Sequence, residues 1–266
     1  MIEIENNSQD SFEVPAAIQV LGISLVSMTK NRYSIVFNKG ISCSLLKDLI
    51  HLYRLEINSK EEGKIIDLLG VYTVNIHFYS AENEKIAVFY INEKDKLANY
   101  ADLCSLSRLL VKTYCSNVSH SKISQICNKA IPSAKGLSAL FVISTTGHTL
   151  FTRIRNDKTK LLENSIQIGG FLSAILMFSN EIIGKNSGEN LQAINFENQQ
   201  FLITVEEGII FAYLIEQSRP SEVIQRYMEL LKEEFFELYY DCLKDFNGDL
   251  NQFHKFEPIV EKYFSI

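Results

Sequence analysis

The side chains able to do chemistry in this chain are few and widely spaced. The five histidines His51, His77, His120, His148 and His254 fall one to each predicted element. A histidine acting as base or ligand needs a partner group nearby, and isolated ones read as surface or core-edge residues. The cysteines Cys43, Cys104, Cys115, Cys127 and Cys242 also stand singly. An odd number without a CxxC pair speaks against a disulfide framework and against a zinc knuckle. Cys104 and Cys115 are eleven residues apart, three helical turns, and are expected to share one buried helix face as reduced core thiols.

The spacing motifs of known chemistry are missing or broken. Gly184-Lys185 is followed by Asn186, so no phosphate-cradling GxxxxGK[ST] loop forms, and no GxGxxG, HExxH or GxSxG occurs. Asp245, Asn247, Asp249 and Asn251 occupy the first four ligand positions of a calcium loop. Leu250 stands where that loop needs its turn glycine, and Phe256 where it needs the bidentate glutamate, Glu257 coming one place late. The segment therefore reads as a polar connection between helices. No catalytic residue, metal site or cofactor is predicted, and the chain is expected not to be an enzyme.

A length of 266 residues exceeds one small core and fits two domains of ordinary size. Apolar residues make up 46% and charged residues 22%, the balance of a folded protein. A formal charge of -6 argues against nucleic acid as partner, because phosphate contacts need clustered Lys and Arg. The start MIEIENNSQD has neither a basic segment nor an apolar one, so no signal peptide is expected. The apolar-and-small run Gly170–Phe178 is far short of the ~20 residues a membrane span needs. The Asn-x-Ser triplets at Asn6 and Asn117 then read as chance matches in a cytoplasmic chain.

What the chain offers instead is an order of elements, twice. After a polar tail over 1–15, residues 16–28 read as a strand, and Arg32–Asn38 as its return. Ser42 can cap a helix whose Leu45, Leu46, Leu49, Ile50, Leu52 and Tyr53 recur at three- and four-residue steps. Strands follow at Lys64–Leu69, Val71–Tyr79 and Lys85–Ile91, then a helical pattern from Asp95 to Ile131 with a break at 116–119. Pro132 ends it, and PSAKG at 132–136 forms a linker. The order then restarts. Leu137–Ser144 and His148–Arg155 make a hairpin, Ser165–Ile183 a helix, and Asn190–Phe196, Phe201–Glu206 and Ile209–Ile215 three strands. A long helix over Ser221–Phe246 and a short one near Pro258 close the chain. The fold class is α+β: two domains, 16–131 and 137–266, each a five-stranded mainly antiparallel sheet with packed helices. Residues 1–133 carry 14 acidic and 14 basic side chains, so the net charge belongs to the second half. Seven acids on the helix Ser221–Phe246 (Glu222, Glu229, Glu233, Glu234, Glu237, Asp241, Asp245) read as a solvated face or as a docking surface for a basic partner.

This order resembles that of the longin and roadblock superfamily. The second half carries the closer likeness in ALFVISTTGHTLFTR, IQIGGFLSAILMFSNEI and EEGIIFAYLI. The resemblance implies two longin-like domains from a tandem duplication, pairing through sheet edges and helices. It implies a non-enzymatic platform for a Ras-like small GTPase, or for another longin- or roadblock-type subunit, in vesicle trafficking. It leaves open two other roles: a guanine-nucleotide exchange factor, and a structural subunit of a tethering or coat-like complex. Membrane recruitment, on this reading, comes through a partner.

Adjacent glycines inside the apolar helix Ser165–Ile183 need a use, since each costs about 1 kcal/mol against alanine. Gly169, Gly170, Ser173 and Ala174 together make a patch almost without side chains. It is expected either to sit tightly on its own sheet or to make a close contact, with the first domain's helix at an inter-domain interface or with a GTPase. The polar rim of such a helix pair would be Lys47, Asp48 and Arg54 from one helix and Asn180 and Glu181 from the other, the predicted partner-binding residues.

Overall fold

The structure, a computed structural model of the chain, describes residues 18, 20–29, 32–81, 84–94, 98–116, 120–158, 161, 163–179, 181–182, 191–216 and 222–266. The polar tail, Asn6, residues 95–97, Asn117, Asn180, residues 183–190 and Ser221 lie outside them. The chain divides into two compact units, Met1–Pro132 and Ser133–Ile266. In unit 1, β1 (Gly22–Met28), β2 (Tyr33–Lys39), α1 (Cys43–Ser59), β3 (Glu62–Leu69), β4 (Tyr72–Ala81), β5 (Glu84–Glu93), α2 (Tyr100–Cys115) and α3 (His120–Ala130) follow in order. Unit 2 has β6 (Leu137–Ser144), β7 (Thr149–Ile154), α4 (Ser165–Ser179), β8 (Ala193–Asn195), β9 (Gln200–Glu206) and β10 (Ile209–Ile215). It ends with α5 (Glu222–Lys244), a 3-10 helix (Leu250–Phe256) and α6 (Glu257–Tyr263). Each unit is an α+β module with one five-stranded sheet, ordered β2-β1-β5-β4-β3 and β7-β6-β10-β9-β8, with every neighbouring pair antiparallel.

The interior strands β1 and β10 are buried along their whole length. Both faces of each sheet must therefore be covered. In unit 1, α1 lays Leu46, Leu49, Ile50, Tyr53 and Ile57 on one face against Val74, Ile76, Phe78 and Phe89. The opposite face packs Ile23, Leu25, Val88 and Tyr90 under α2 and α3. In unit 2 one face packs Phe141, Ile203 and Ala212 under Leu172 and Leu176 of α4. The other holds an aromatic core in which Phe235 contacts Phe211, Tyr239, Phe253 and Phe256 at centroid distances of 5.0–5.9 Å. Glu234 is buried beside it, accepting hydrogen bonds from the Lys262 ammonium and the Tyr263 hydroxyl, which locks α6 onto α5.

Local chemistry explains the joints. The Ser42 hydroxyl accepts from Leu45 N and caps α1, as its residue type predicts. The β9–β10 hairpin closes through Glu207 and Gly208, both at positive φ (47° and 76°), which matches the twist of the flanking strands. Asp249 accepts from Asn251 N and starts the 3-10 helix, so the calcium-loop look-alike is a turn that delivers Phe253 and Phe256 to the core.

Several boundaries differ from the sequence reading. β1 begins at Gly22 because Val20 N donates back to Ile18 O at 2.9 Å, a tight turn incompatible with an extended strand. β8 keeps only three residues. Most of 132–136 is held by unit 2: Ala134 N donates to Tyr263 O and Ser265 N to Ala134 O, and Gly136 O accepts from Glu216 N. Cys115 is exposed at the end of α2, whereas Cys104 is partly covered, so the two do not share a buried face. Over eleven residues a helix turns three times plus a small remainder, but Cys115 sits on the last turn, beyond the sheet's cover.

The two units also repeat details no element count predicts. Leu25/Val26 and Val142/Ile143 each mark a register shift in the first hairpin, giving one extra residue on the return strand, Val36 or Leu150. Those shifts are at equivalent places, since Ile23 pairs with Tyr90 and Leu140 with Tyr213. Both tyrosines are fully buried, and each hydroxyl donates to a carbonyl of the next helix, Leu103 O or Met228 O. Burial raises the pKa of both well above the ordinary phenol value, so both stay neutral donors. Tyr90→Phe and Tyr213→Phe are each expected to lower stability by about 1 kcal/mol, the net worth of one buried hydrogen bond. Denaturant unfolding monitored by hydrogen exchange should place the loss in α2 for the first and in α5 for the second.

Candidate protein-interaction surface

α4 carries no charged residue from Ser165 to Ser179, and its outward side is apolar or small except for the exposed Gln167. Gly169, Leu172, Ser173 and Leu176 are buried against the sheet. A Cβ on Gly169 would lie 2.2 Å from Thr149 Oγ1, so the missing side chain lets the helix rest on β7. The Ser173 hydroxyl donates to Ser144 O at 3.5 Å on the same side. The outward side shows Ile166 (80% exposed), Phe171 (48%), Met177 (64%) and Phe178 (65%), with Ile182 just beyond the helix (57%). Gly170 and Ala174 lie between them, also exposed, and a Cβ at Gly170 would meet no atom of its own unit within 4 Å. The four small residues thus divide: Gly169 and Ser173 serve the sheet, Gly170 and Ala174 open a flat strip on the outer face. The outer strip of α4 is thus more apolar than the mixed polar face usual for a surface helix.

α1 is built differently. Its inner side is apolar, and its outer side mixes Lys47, Asp48 and His51 with the exposed Leu52 (59%) and Leu55 (85%). The Tyr53 hydroxyl donates to Asp67 Oδ2 at 2.6 Å, tying the helix to β3. Burial first, and the Asp67 carboxylate second, push the Tyr53 pKa up to about 12, while that hydrogen bond lowers Asp67.

The predicted partner-binding residues are placed as follows. Lys47 and Asp48 are exposed on α1, and Arg54, partly covered, donates from Nη2 to Thr29 O at 3.3 Å. Glu181 is exposed past α4, and Asn180 lies outside the described residues. Met177, on the outer strip, is a residue that the sequence analysis does not name. The exposed Ile66 (55%) and Leu68 (58%) of β3 likewise went unnoticed, although their alternation with Ile65 and Asp67 marks a strand with one uncovered face.

The acidic helix α5 spends part of its charge internally. Lys232 bonds Glu229 and, across to β9, Glu206, and Glu234 is buried. Between α5 and β9 a cleft of about 660 Å³ is lined by Gln192, Leu202, Thr204, Gln225, Arg226 and Glu229, with no histidine or cysteine in its wall. Among the described residues, no group of three or more His, Cys, Asp or Glu could hold a metal ion, and no helix is long and apolar enough to cross a membrane.

No protein-family model matches this chain, and no curated protein matches it. Among solved structures the chain is similar to the crystal structure of a Roadblock/LC7 domain from Streptomyces avermitilis, with 10% sequence identity and a TM-score of 0.31. That match covers 40% of this chain and 86% of the other.

Gly169→Ala is expected to destabilise unit 2 by about 1–3 kcal/mol, since the new methyl displaces the Thr149 hydroxyl from a packed contact. Thr149→Ala in the same chain should restore most of the loss. Thermal unfolding of the two single variants and the double variant measures the coupling.

Proposed function

We propose that this chain is a non-enzymatic interaction module whose two longin-like units form a paired platform for a Ras-like small GTPase in the cytoplasm. The observation that carries this reading is the repeat itself: one strand order, one bulge position and one buried tyrosine tether, occurring twice in a single chain. The uncharged outer strip of α4 supports the pairing. In the proposed arrangement α1 covers that strip, Leu52 and Leu55 meeting Phe171, Met177 and Phe178, with Gly170 and Ala174 admitting the closer helix. Lys47, Asp48, Arg54, Asn180 and Glu181 then form the polar rim on which the GTPase docks. Membrane recruitment follows from the partner, not from this chain.

The test is a titration of the full chain against a panel of Ras-like GTPases carrying fluorescent nucleotide, in GDP and GTP-analogue states. Binding without faster GDP release supports a passive platform, faster release would replace it with an exchange factor, and no binding to any GTPase would remove the claim. Lys47→Glu should weaken binding about tenfold or more while leaving the unfolding transition unchanged, as expected for a desolvated rim charge meeting its opposite. Gly170→Leu has room within unit 2, so a loss of binding or of compactness in that variant reports the helix pair.

A further inference from the structure

Unit 1 contains a buried polar pair that its sister lacks. On β4, Asn75 and His77 point to the α2 side of the sheet and are each 1% exposed. Asn75 Oδ1 and His77 Nδ1 have no hydrogen-bond partner among the described residues. Because Asn75 pairs with Tyr90 and Leu202 with Tyr213, the position of His77 is taken by Thr204 in unit 2, which cannot titrate. The imidazole stands edge-on to the Tyr90 ring, with centroids 5.8 Å apart and planes at 76°. Tyr90 is the residue that tethers α2, through Leu103 O and the Ser107 hydroxyl.

Strands and helices of unit 1 surround His77. From β3 it is opposed in register by Lys64, with Glu62 further along, opposite Tyr79. From β5 it meets Tyr90. α2 brings Cys104 and Arg108 to Tyr79 and Ser107 to Tyr90, and α3 brings Cys127 towards Tyr90. The charge that acts on His77 is Lys64, of the same sign as a histidinium. β4 is fixed on both sides by continuous strand ladders, so the cover that can yield is the helix.

We propose that unit 1 carries an acid-operated latch: a proton taken up by His77 releases α2 from the sheet, while unit 2 stays closed. In the closed state burial, with Lys64 adding to it, lowers the His77 pKa to about 4, and once α2 lifts the ring returns towards the ordinary 6.5. A group whose folded value is depressed contributes stability above its unfolded value and loses it as pH falls, here from 6.5 down to about 4. Linkage between those two values makes the opening constant of α2 rise roughly twentyfold from pH 7 to pH 5.

Hydrogen exchange of the full chain at both pH values, corrected for intrinsic exchange, tests this. Peptides of α2 should show the roughly twentyfold rise, α5 should not, and His77→Gln should abolish the slope in α2. Equal changes in α2 and α5, or an unaltered slope in His77→Gln, would overturn the latch. A second readout needs no variant: the ring signals of His77 in the native chain should remain those of a neutral imidazole at pH 5.5. Titration of that ring near 6.5 with the fold intact would contradict the proposal.

Discussion

Everything in either unit follows from one constraint: a five-stranded sheet whose interior strands are apolar on both sides must be covered on both sides. Seven consecutive buried residues in β1 and again in β10 leave no face for water. One helix, inserted after the first hairpin, crosses one face, and the helices after the last strand cover the other. The antiparallel order with the last strand in the middle lets every turn between consecutive strands be short, and it places the C-terminal helix directly above the buried tyrosine that tethers it. The bulge at Leu25/Val26 and at Val142/Ile143 adds a residue, Val36 or Leu150, on the face that those helices cover. Bulges increase local twist, and a twisted sheet seats a diagonal helix.

The units meet this constraint with different materials. Unit 1 keeps a polar interior under α2 and α3, with His77, Asn75 and Ser107 on the α2 side and the buried Lys39 under α3, whose ammonium donates to Asn128 Oδ1 at 2.9 Å. Unit 2 fills the same place with a cluster of phenylalanines and tyrosines and one buried Glu234 shared by Lys262 and Tyr263. On the opposite face the contrast reverses: α1 turns charge outward, whereas α4 turns apolar side chains both ways.

Much of the fold was legible in the residues. Element order, the Ser42 cap, the Glu207-Gly208 turn and the termini of β6 and β10 could be read from alternation, cap residues and turn chemistry, because these act over a few residues. Strand order was not legible, since antiparallel neighbours far apart in sequence leave no local mark. The Tyr90 and Tyr213 tethers were hidden for the same reason: a tyrosine in an apolar run looks like any other core residue. At the candidate surface, the residue types marked α4 as an apolar helix with two adjacent glycines, but not which glycine serves the sheet. Only the 2.2 Å approach of Thr149 to a would-be Cβ separates Gly169 from Gly170.

Pairing of the two units through α1 and the outer strip of α4 is the central claim, and site-directed cross-linking tests it most directly. Cysteines would be placed at Leu52→Cys and Ala174→Cys, with the exposed Cys115 and Cys242 and the partly covered Cys43 and Cys104 replaced by serine. The account predicts that a short bismaleimide joins the two positions within one chain, independently of protein concentration. If both cysteines instead react fully with a monofunctional maleimide and no intramolecular cross-link forms, the two helices do not lie side by side and the paired platform is contradicted.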